Sequence, residues 1–413
     1  MAITKTTDLT NTVVTAYQKA YFMIGANEPG IWGQFIDWQD PVSENGGGGS
    51  SYDFPIYGEE ALVTDELTED QDVTPQSISD DNVTLTPKEY GASFAISKKA
   101  RYQGRTMTPT IMGELVARNR IKSIDNVLRR SAVGHGSSRP TMTYHIDNST
   151  AMSDLTGATT DLVTLAFIRR LAAQAMSMGL QPREGVGYVA PVHPTLYTDI
   201  LNVTASLNIG YYQDKGVIYS PLDRPYTIAG VTFVPDIRGR LYLGSGTVLQ
   251  SATTTTAAAA KGATTVYVTE ATSLAAGSYV TLGTIETESV SPGANLEQVY
   301  ITAASASSGA GNITIRGDGK ANNFGLRFDH ASGEAVTEAY NVAAIPLIGK
   351  ESLIGIYGAD TGMYGKPIEK LGTLDLMERM YYYSWYWYGG VSAIQKHMML
   401  GKVAVSDWIM GTN

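Results

Sequence analysis

The sequence predicts an α+β fold in which one mixed domain is interrupted by an inserted all-β module. After Pro109, apolar residues recur at helical spacing over about 20 residues, whereas several other runs alternate as strands do. Near Ser245 the composition changes to short β runs separated by Gly, Ala and Ser, and from Ile345 the earlier composition returns. With 413 residues, the chain is long enough to bury a substantial core.

The composition excludes several kinds of protein. Because the chain has no cysteine, it forms neither a disulfide nor a thiolate zinc site. Its net charge of −10 is opposite to the basic excess of a general nucleic-acid binder, which must neutralise phosphates. The first residues lack the apolar core of a signal peptide, and no run approaches the roughly 20 apolar residues of a membrane span. We therefore expect folding in a cytosol.

Residues 1–45 are predicted to form an N-terminal arm. Weak helical periodicity is followed by large apolar groups at Trp32, Phe35 and Trp38, which have little else nearby to pack on. We therefore expect the arm to lie on a neighbouring chain. Residues 46–50 read Gly-Gly-Gly-Gly-Ser, a flexible hinge. We interpret it as native rather than as an engineered linker, because its flanks show no fusion junction.

Residues 46–97 are predicted to form an extended loop, a long acidic hairpin. Alternating apolar residues at 52–57 and 83–96 predict its two strands. Between positions 51 and 87 the chain carries ten acidic residues and no Lys or Arg. An isolated hairpin is marginally stable in water, so we expect this one to be stabilised by a partner.

Residues 98–160 are predicted to form a peripheral domain built on a long helix. Thr108 and Pro109 are typical of a helix N-cap and first turn, and Gly134 is typical of a helix end. The apolar residues that predict the buried stripe of this helix are Ile111, Leu115, Ile121, Ile124 and Leu128.

This segment reverses the charge of the acidic hairpin, because positions 98–130 hold nine basic residues against two acidic ones. Complementary charge on one sequence predicts a contact between copies of the chain. The residues predicted to form this intersubunit interface are Asp65, Glu66, Glu69, Asp70, Asp72, Arg118, Arg120, Lys122, Arg129 and Arg130. An alternative is that Arg118, Arg120 and Lys122 touch DNA, and pairing with the hairpin is preferred.

Residues 161–245 are predicted to form an α/β axial domain. It contains a helix that ends at Gly179, a short strand, and a further helix that opens at His193-Pro194. We interpret His193 as a helix cap rather than as a catalytic base.

Residues 246–344 are predicted to form the inserted β domain, in which even spacing of short strands favours a small sandwich or barrel.

Residues 345–413 are predicted to return to the main domain. Seven of the eight residues from Tyr381 to Tyr388 are aromatic. A platform that stacks single-stranded nucleic acid needs interleaved basic residues, and only Arg379 and Lys396 lie near. A strand buried on both faces, or one at a subunit contact, is therefore preferred.

No catalytic, cofactor-binding or metal-binding residues are predicted, and the chain is not expected to be an enzyme. The five histidines show no metal-ligand spacing, and no Gly-x-Ser-x-Gly elbow is present. No paired-acid motif can be distinguished from the acidic hairpin.

The order of these parts resembles the major capsid proteins of tailed bacteriophages, which share the Hong Kong 97-type fold. The stretch Tyr52-Asp-Phe-Pro-Ile-Tyr-Gly58, followed by Leu67-Thr-Glu69 and Val73-Thr-Pro75, is similar to the extended loop of a podovirus-type capsid family. The resemblance covers residues 1–245 and 345–413. The inserted module departs from the minimal fold and resembles the insertion domains that some of these proteins carry on the outside of the shell.

The resemblance implies a structural protein that self-assembles as hexamers and pentamers into an icosahedral head around double-stranded DNA. It implies a location in the virion after assembly in the host cytoplasm, without a cofactor or a membrane. Scaffold, portal and decoration proteins are possible partners, and contact with packaged DNA is expected to be weak and non-specific.

Two other functions stay open on the sequence. A tail tube or sheath protein would also carry arms and β modules, but it would assemble as stacked rings or helices. A binding protein or glycan-acting enzyme built on the β module would need an export signal or a cleft of carboxylates, and neither is seen.

Overall fold

A computed structural model describes most of the chain between Gly30 and Ala404. The described residues are 30–39, 51–57, 64, 66, 77–78, 80–103, 109–134, 143–146, 149–156, 160–208, 225–272, 274–306, 310–320, 323–363, 365–371, 380–394 and 398–404.

The described residues form α-helices and strands in the following order, together with short 3-10 turns. The helices are α1 (Lys98–Gln103), α2 (Pro109–Val133), α3 (Leu165–Ser177) and α4 (Pro194–Asn208). The first strands are β1 (Asp37–Trp38), β2 (Tyr52–Tyr57), β3 (Asp80–Leu85), β4 (Lys88–Ser97), β5 (Thr143–His145), β6 (Tyr188–Val192), β7 (Tyr226–Ile228), β8 (Val231–Pro235) and β9 (Leu241–Tyr242). The strands that follow are β10 (Val248–Thr254), β11 (Thr265–Val268), β12 (Tyr279–Leu282), β13 (Glu297–Ala306), β14 (Gly311–Ile315), β15 (Gly317–Lys320), β16 (Asn323–Phe324), β17 (Ala335–Ala339), β18 (Val342–Ile348), β19 (Leu353–Tyr357), β20 (Lys366–Leu371), β21 (Met380–Ala393) and β22 (Met398–Ala404).

The described residues divide into two compact units. The first contains residues up to Gly33 together with Trp38–Leu128 and Gly355–Gly390. The second contains Gln34–Asp37, Arg129–Ile354 and the residues from Val391 onward. Each unit therefore combines segments that lie far apart in sequence.

The first unit is built around the aromatic strand β21. This strand pairs antiparallel with β4 and with β20, and the described sheet continues through β19 to β1. Tyr383, Trp385 and Trp387 are buried at alternate positions, while the intervening residues are only half-buried. The run is thus a strand with one buried face, rather than a strand buried on both faces.

Helix α2 contributes its own stripe to the core of this unit. Val116, Ile124 and Leu128 are buried, whereas Leu115, which periodicity placed in the stripe, is 37% exposed. Asn119 lies in line with Val116 on the next turn, and its Oδ1 accepts a hydrogen bond of 2.9 Å from Trp385 Nε1. The buried face of α2 therefore includes Val116 instead of the predicted Leu115. The same side of the helix carries Asn119, which accepts the hydrogen bond from the Trp385 indole.

The second unit contains a mixed sheet whose described strands follow the order β5-β22-β18-β6-β8-β7, with β9 also paired to β18. Every residue of β18 is buried, as are those of β6. Thr164 is the N-cap of helix α3, and its hydroxyl accepts from Phe167 N at 3.2 Å. Gly179 follows the C-cap, as the sequence predicted for the helix end, and its φ of 79° suits glycine.

The β module of the second unit is a closed barrel rather than a sandwich. Its described strands follow the order β10-β17-β12-β13-β14-β11. Thr255 pairs with Val268, and Thr269 N donates to Thr254 O at 2.8 Å, so β11 returns to β10 and closes the ring. The interior is filled by apolar side chains, among them Val266, Val280 and Ile301.

A buried polar cluster links two segments of the barrel. The fully buried ring of His330 places Nδ1 2.6 Å from Glu334 Oε2 and Nε2 2.8 Å from Glu297 Oε1. Burial would raise the pKa of the Glu334 carboxyl, but hydrogen bonds from Ala331 N, His330 and Asn295 bring this pKa below its ordinary value. Glu297 also accepts from Arg327 N at 2.9 Å, so the cluster ties the loop before β17 to the start of β13.

His193 caps helix α4, in agreement with its interpretation from the sequence. Its Nδ1 lies 2.7 Å from Thr195 Oγ1 and 3.4 Å from Thr195 N, and its carbonyl accepts from Tyr197 N at 3.0 Å. Burial, with a smaller repulsion from Arg129, lowers the pKa of His193 to about 4. The ring is therefore neutral at pH 7 and accepts hydrogen bonds as a cap must.

This cap predicts a loss of stability in mild acid. Because the folded pKa of about 4 lies below the unfolded value, the stabilisation is complete above pH 6.5 and is lost as the pH falls toward 4. The effect is at most about 3 kcal/mol for a shift of this size. Denaturant unfolding of the unassembled chain at pH 7.5 and 4.5 measures it.

The variant His193→Asn keeps a cap that does not titrate, so its unfolding free energy should fall less between the two pH values. Thr195→Ala is the matched control, since it weakens the cap but leaves the titrating ring in place. Equal pH dependence in wild type and His193→Asn would contradict the assignment.

Candidate functional site

The acidic hairpin is formed by strands β2 and β3, which pair from Tyr52↔Leu85 to Tyr57↔Asp80. Along β2, half-buried Tyr52, Phe54 and Ile56 alternate with exposed residues. Thr84 Oγ1 donates to Asp53 Oδ1 at 2.6 Å on the exposed side of the pair. The hairpin therefore has one half-buried apolar face and one exposed face, as a strand pair covered on one side would have.

The hairpin also leaves large apolar groups in solvent. Tyr57 is 71% exposed, and Ile78, just before β3, is 66% exposed. Glu66, Asp80 and Asp81 are exposed as well. Exposed apolar side chains rimmed by polar residues are a feature of surfaces that a partner covers.

The predicted acidic interface residues can be placed only in part. Glu66 is exposed, whereas Asp65, Glu69, Asp70 and Asp72 lie outside the described residues.

The predicted basic residues all lie on α2, and two of them bind backbone carbonyls of their own chain. Arg120 Nη1 donates to Gly365 O at 3.2 Å, and burial lowers the pKa of this guanidinium. Arg129 Nη1 donates to Arg238 O. Arg118 and Lys122 are half-buried, and Arg130 is exposed. Arg120 and Arg129 therefore have roles inside the fold that charge counting did not reveal.

The described part of the predicted N-terminal arm packs on its own chain, contrary to expectation. Trp32 is fully buried, and its N–H donates to Oδ1 of the equally buried Asp125 at 2.9 Å. Trp38 Nε1 donates to Gly33 O at 2.9 Å, and its ring meets that of Tyr357 edge-on with centroids 5.5 Å apart. These contacts provide the core that the segment lacks by itself.

Asp125 and Arg183 are the residues whose importance the sequence analysis missed. Arg183 Nη2 donates to Phe35 O at 2.7 Å and forms an ion pair of 3.1 Å with Asp37. A signal for Asp125 was present, because it is one of two acidic residues on a mainly basic helix and lies beside Ile124 of the apolar stripe. Its partner is a backbone N–H, which no charge pattern indicates.

The described residues hold neither a candidate metal site nor a helix that could cross a membrane. Among those residues, no group of three or more His, Cys, Asp and Glu could hold a metal ion. Of the described helices, none combines the length and apolar character that crossing a membrane requires.

The comparisons with known proteins identify the fold. No protein-family model matches the sequence, and no curated protein sequence is recognisably similar. Among solved structures, the capsid of Ralstonia phage GP4 matches with a TM-score of 0.54 and 10% identity, over 91% of this chain and 88% of that one. The capsid asymmetric unit of cyanophage Pam1 matches with a TM-score of 0.50 and 12% identity, over 87% and 86% respectively.

The chain therefore has the fold of these phage capsid chains, and the α+β capsid fold predicted from the sequence is confirmed. The GP4 match covers 91% of the chain, so it is not limited to a single sheet or module.

The burial of Trp32 and the hydrogen bond from its backbone N–H to Asp125 predict a loss of stability when either residue is changed. Trp32→Ala should destabilise the unassembled chain by about 3–5 kcal/mol, as removal of a large core side chain does. Asp125→Ala should cost about 1–3 kcal/mol because it leaves the buried Trp32 N–H without this acceptor. Denaturant unfolding measures both, and Tyr57→Ala, at an exposed aromatic, is the control. A Trp32→Ala cost no larger than that of the control would contradict packing of this segment on its own chain.

Proposed function

We propose that this chain is the major capsid protein of a tailed bacteriophage, and that many copies assemble into the icosahedral head that encloses double-stranded DNA. The observation that carries the proposal is the fold match to the GP4 capsid over 91% of the chain. The role is structural. Its location is the virion, with assembly in the host cytoplasm.

The surfaces of the chain support this function physically. A shell distributes its assembly energy over large contacts between copies, and partly polar interfaces set register and partner choice. The hairpin of β2 and β3 has the exposed apolar groups and carboxylates that such a contact uses. A two-stranded hairpin of this kind is stabilised when it lies on a second copy.

The proposed domains of the capsid protein are the segments predicted from the sequence. We assign an N-terminal arm to 1–45, an extended loop to 46–97, a peripheral domain to 98–160, an axial domain to 161–245, an inserted β domain to 246–344, and a return to the main domains at 345–413. Hexamers and pentamers are the expected capsomers, scaffold, portal and decoration proteins are possible partners, and contact with DNA is weak.

The acidic hairpin is proposed to lie on helix α2 of a neighbouring copy. The acidic members are Asp65, Glu66, Glu69, Asp70 and Asp72, and the basic members are Arg118, Lys122 and Arg130, with Arg120 and Arg129 behind them. Arg120 and Arg129 each donate to a backbone carbonyl of their own chain. Each exposed pair contributes at most about 1 kcal/mol, so the contact depends on the number of pairs.

The second candidate, a tail tube or sheath, is tested by the shape of the assembly. Purified chain expressed with its assembly partners should form closed shells in negative-stain electron microscopy. Stacked rings or open tubes would contradict the proposed function, as would a chain that stays monomeric at high concentration with every candidate partner.

Charge reversal tests the contact between copies. Changing Glu66, Glu69, Asp70 and Asp72 together to Lys should abolish shells while the chain still folds, because like charges then face each other across the interface. Reversing Arg118, Lys122 and Arg130 to Glu in the same chain should restore part of the assembly. Arg120 is left unchanged because it holds Gly365 O.

The matched control reverses exposed acidic residues elsewhere, Glu184, Glu351 and Asp360, and should assemble normally. Circular dichroism and thermal melting of unassembled chain verify folding, and sedimentation with microscopy scores assembly. Normal shells from the four-residue hairpin variant would refute the proposed contact.

A further inference from the structure

The barrel meets the mixed sheet of the second unit through a buried ion pair. Arg240, which precedes β9, pairs with Glu286 from the connection between β12 and β13. Their side chains are only 10% and 2% exposed. The backbone of Arg240 belongs to the mixed sheet, because its carbonyl accepts from Ala344 N at 3.0 Å. The pair therefore joins the two parts rather than lying within either.

A reciprocal amide pair lies at the same junction. Asn341 Nδ2 donates to Gln298 Oε1 at 2.9 Å, and Gln298 Nε2 donates back to Asn341 Oδ1 at 3.1 Å. Asn341 Oδ1 also accepts from Gly244 N at 2.8 Å. Gln298 lies on barrel strand β13, while Asn341 and Gly244 flank β18 and β9 of the mixed sheet.

The connection that carries Glu286 makes a further contact with the mixed-sheet side. Glu288 Oε1 accepts from Met152 N at 2.8 Å and lies 3.4 Å from His145 Nε2 on β5. At Gly244 the backbone approaches the barrel so closely that a Cβ would lie 2.7 Å from Thr281 Oγ1. Polar partners and close packing thus leave little room for the barrel to turn.

The effect of substitution on stability differs between one partner of a buried ion pair and both partners together. Removing one partner leaves an uncompensated buried charge, whereas replacing both by apolar residues of similar size is often neutral. Arg240 also lies over the ring of Tyr242, with its guanidinium carbon 4.9 Å from the centroid, so its position is determined by the sheet. Without the barrel, Arg240 would lose the carboxylate of Glu286.

We propose that the barrel is a fixed and cooperative part of the second unit, held by four junction residues, Arg240, Glu286, Asn341 and Gln298. The barrel and the mixed sheet then unfold together, and the barrel has one orientation in every copy. The sequence predicted an inserted β domain at residues 246–344 and gave no sign of how tightly it is joined to its host domain. The junction makes the host sheet depend on the barrel. This inference does not rest on the proposed function.

A double-mutant cycle on the full chain tests the proposal. The variants are Arg240→Met, Glu286→Met and the two combined, and hydrogen exchange by mass spectrometry follows peptides from β18 and from β12–β13. Each single variant should raise exchange at least tenfold in both sets of peptides. The double variant should return exchange to within a few-fold of the wild type. Lys350→Met and Glu351→Met, at an exposed pair of 3.9 Å, are the matched controls and should change neither set.

Two results of the cycle would overturn the proposal. Faster exchange in the barrel with β18 still protected would show that the barrel is independent. Additive effects of the single variants in the double variant would show that Arg240 and Glu286 do not act as a pair.

A deletion adds a second measurement. Residues 248–339 are replaced by a short Gly-Ser bridge, once in the chain with its native Arg240 and once together with the substitution Arg240→Met. The deletion that retains Arg240 should be less stable than the full-length chain, because the mixed sheet loses the contacts that Arg240 and Asn341 make with the barrel. Adding Arg240→Met to the deletion should change its stability little, because Glu286 is already absent. Folding of that deletion as stable as the full-length chain would contradict the proposal.

Discussion

The pairing of β9 with β18 is the constraint on which the second unit depends. The chain leaves the mixed sheet after β9 and returns at β18, and these strands are antiparallel neighbours through Val342↔Tyr242 and Ala343↔Leu241. A long insertion can therefore interrupt a buried sheet without opening it, since loop closure costs little once the ends are adjacent. Strand β18 is buried throughout and also pairs with β22 along its whole length. Because protein interiors are close-packed, a displacement at the barrel is transmitted to strands from both earlier and later segments.

The first unit has a different physical character. Its interior is aromatic and partly polar, with the Trp385–Asn119 and Trp32–Asp125 hydrogen bonds placed where apolar packing alone would leave N–H groups without partners. Its hairpin, by contrast, has little interior. Under the proposed function this contrast is useful, because the core keeps its shape while contact with another copy would stabilise the hairpin.

Apolar periodicity and the residues at helix ends determined which segments form helices and which form strands. Pro109 begins α2, Gly179 ends α3, and His193 caps α4, because helix ends need specific local groups that neighbouring residues supply. The alternation at 52–57, the all-β character of the insertion and the resemblance to a capsid fold were likewise local or compositional signals.

Only the tertiary structure decided how distant segments meet. Periodicity could not tell Leu115 from Val116 as the buried position, because the partner face of β21 comes from more than 200 residues later in the chain. Charge counting assigned Arg120 to a neighbour, whereas a carbonyl of its own chain lies within reach. Nothing in the sequence around Arg240 points to Glu286. Such pairs form because burial leaves charged and polar groups without water, and the partner they then find depends on three-dimensional position rather than on sequence distance.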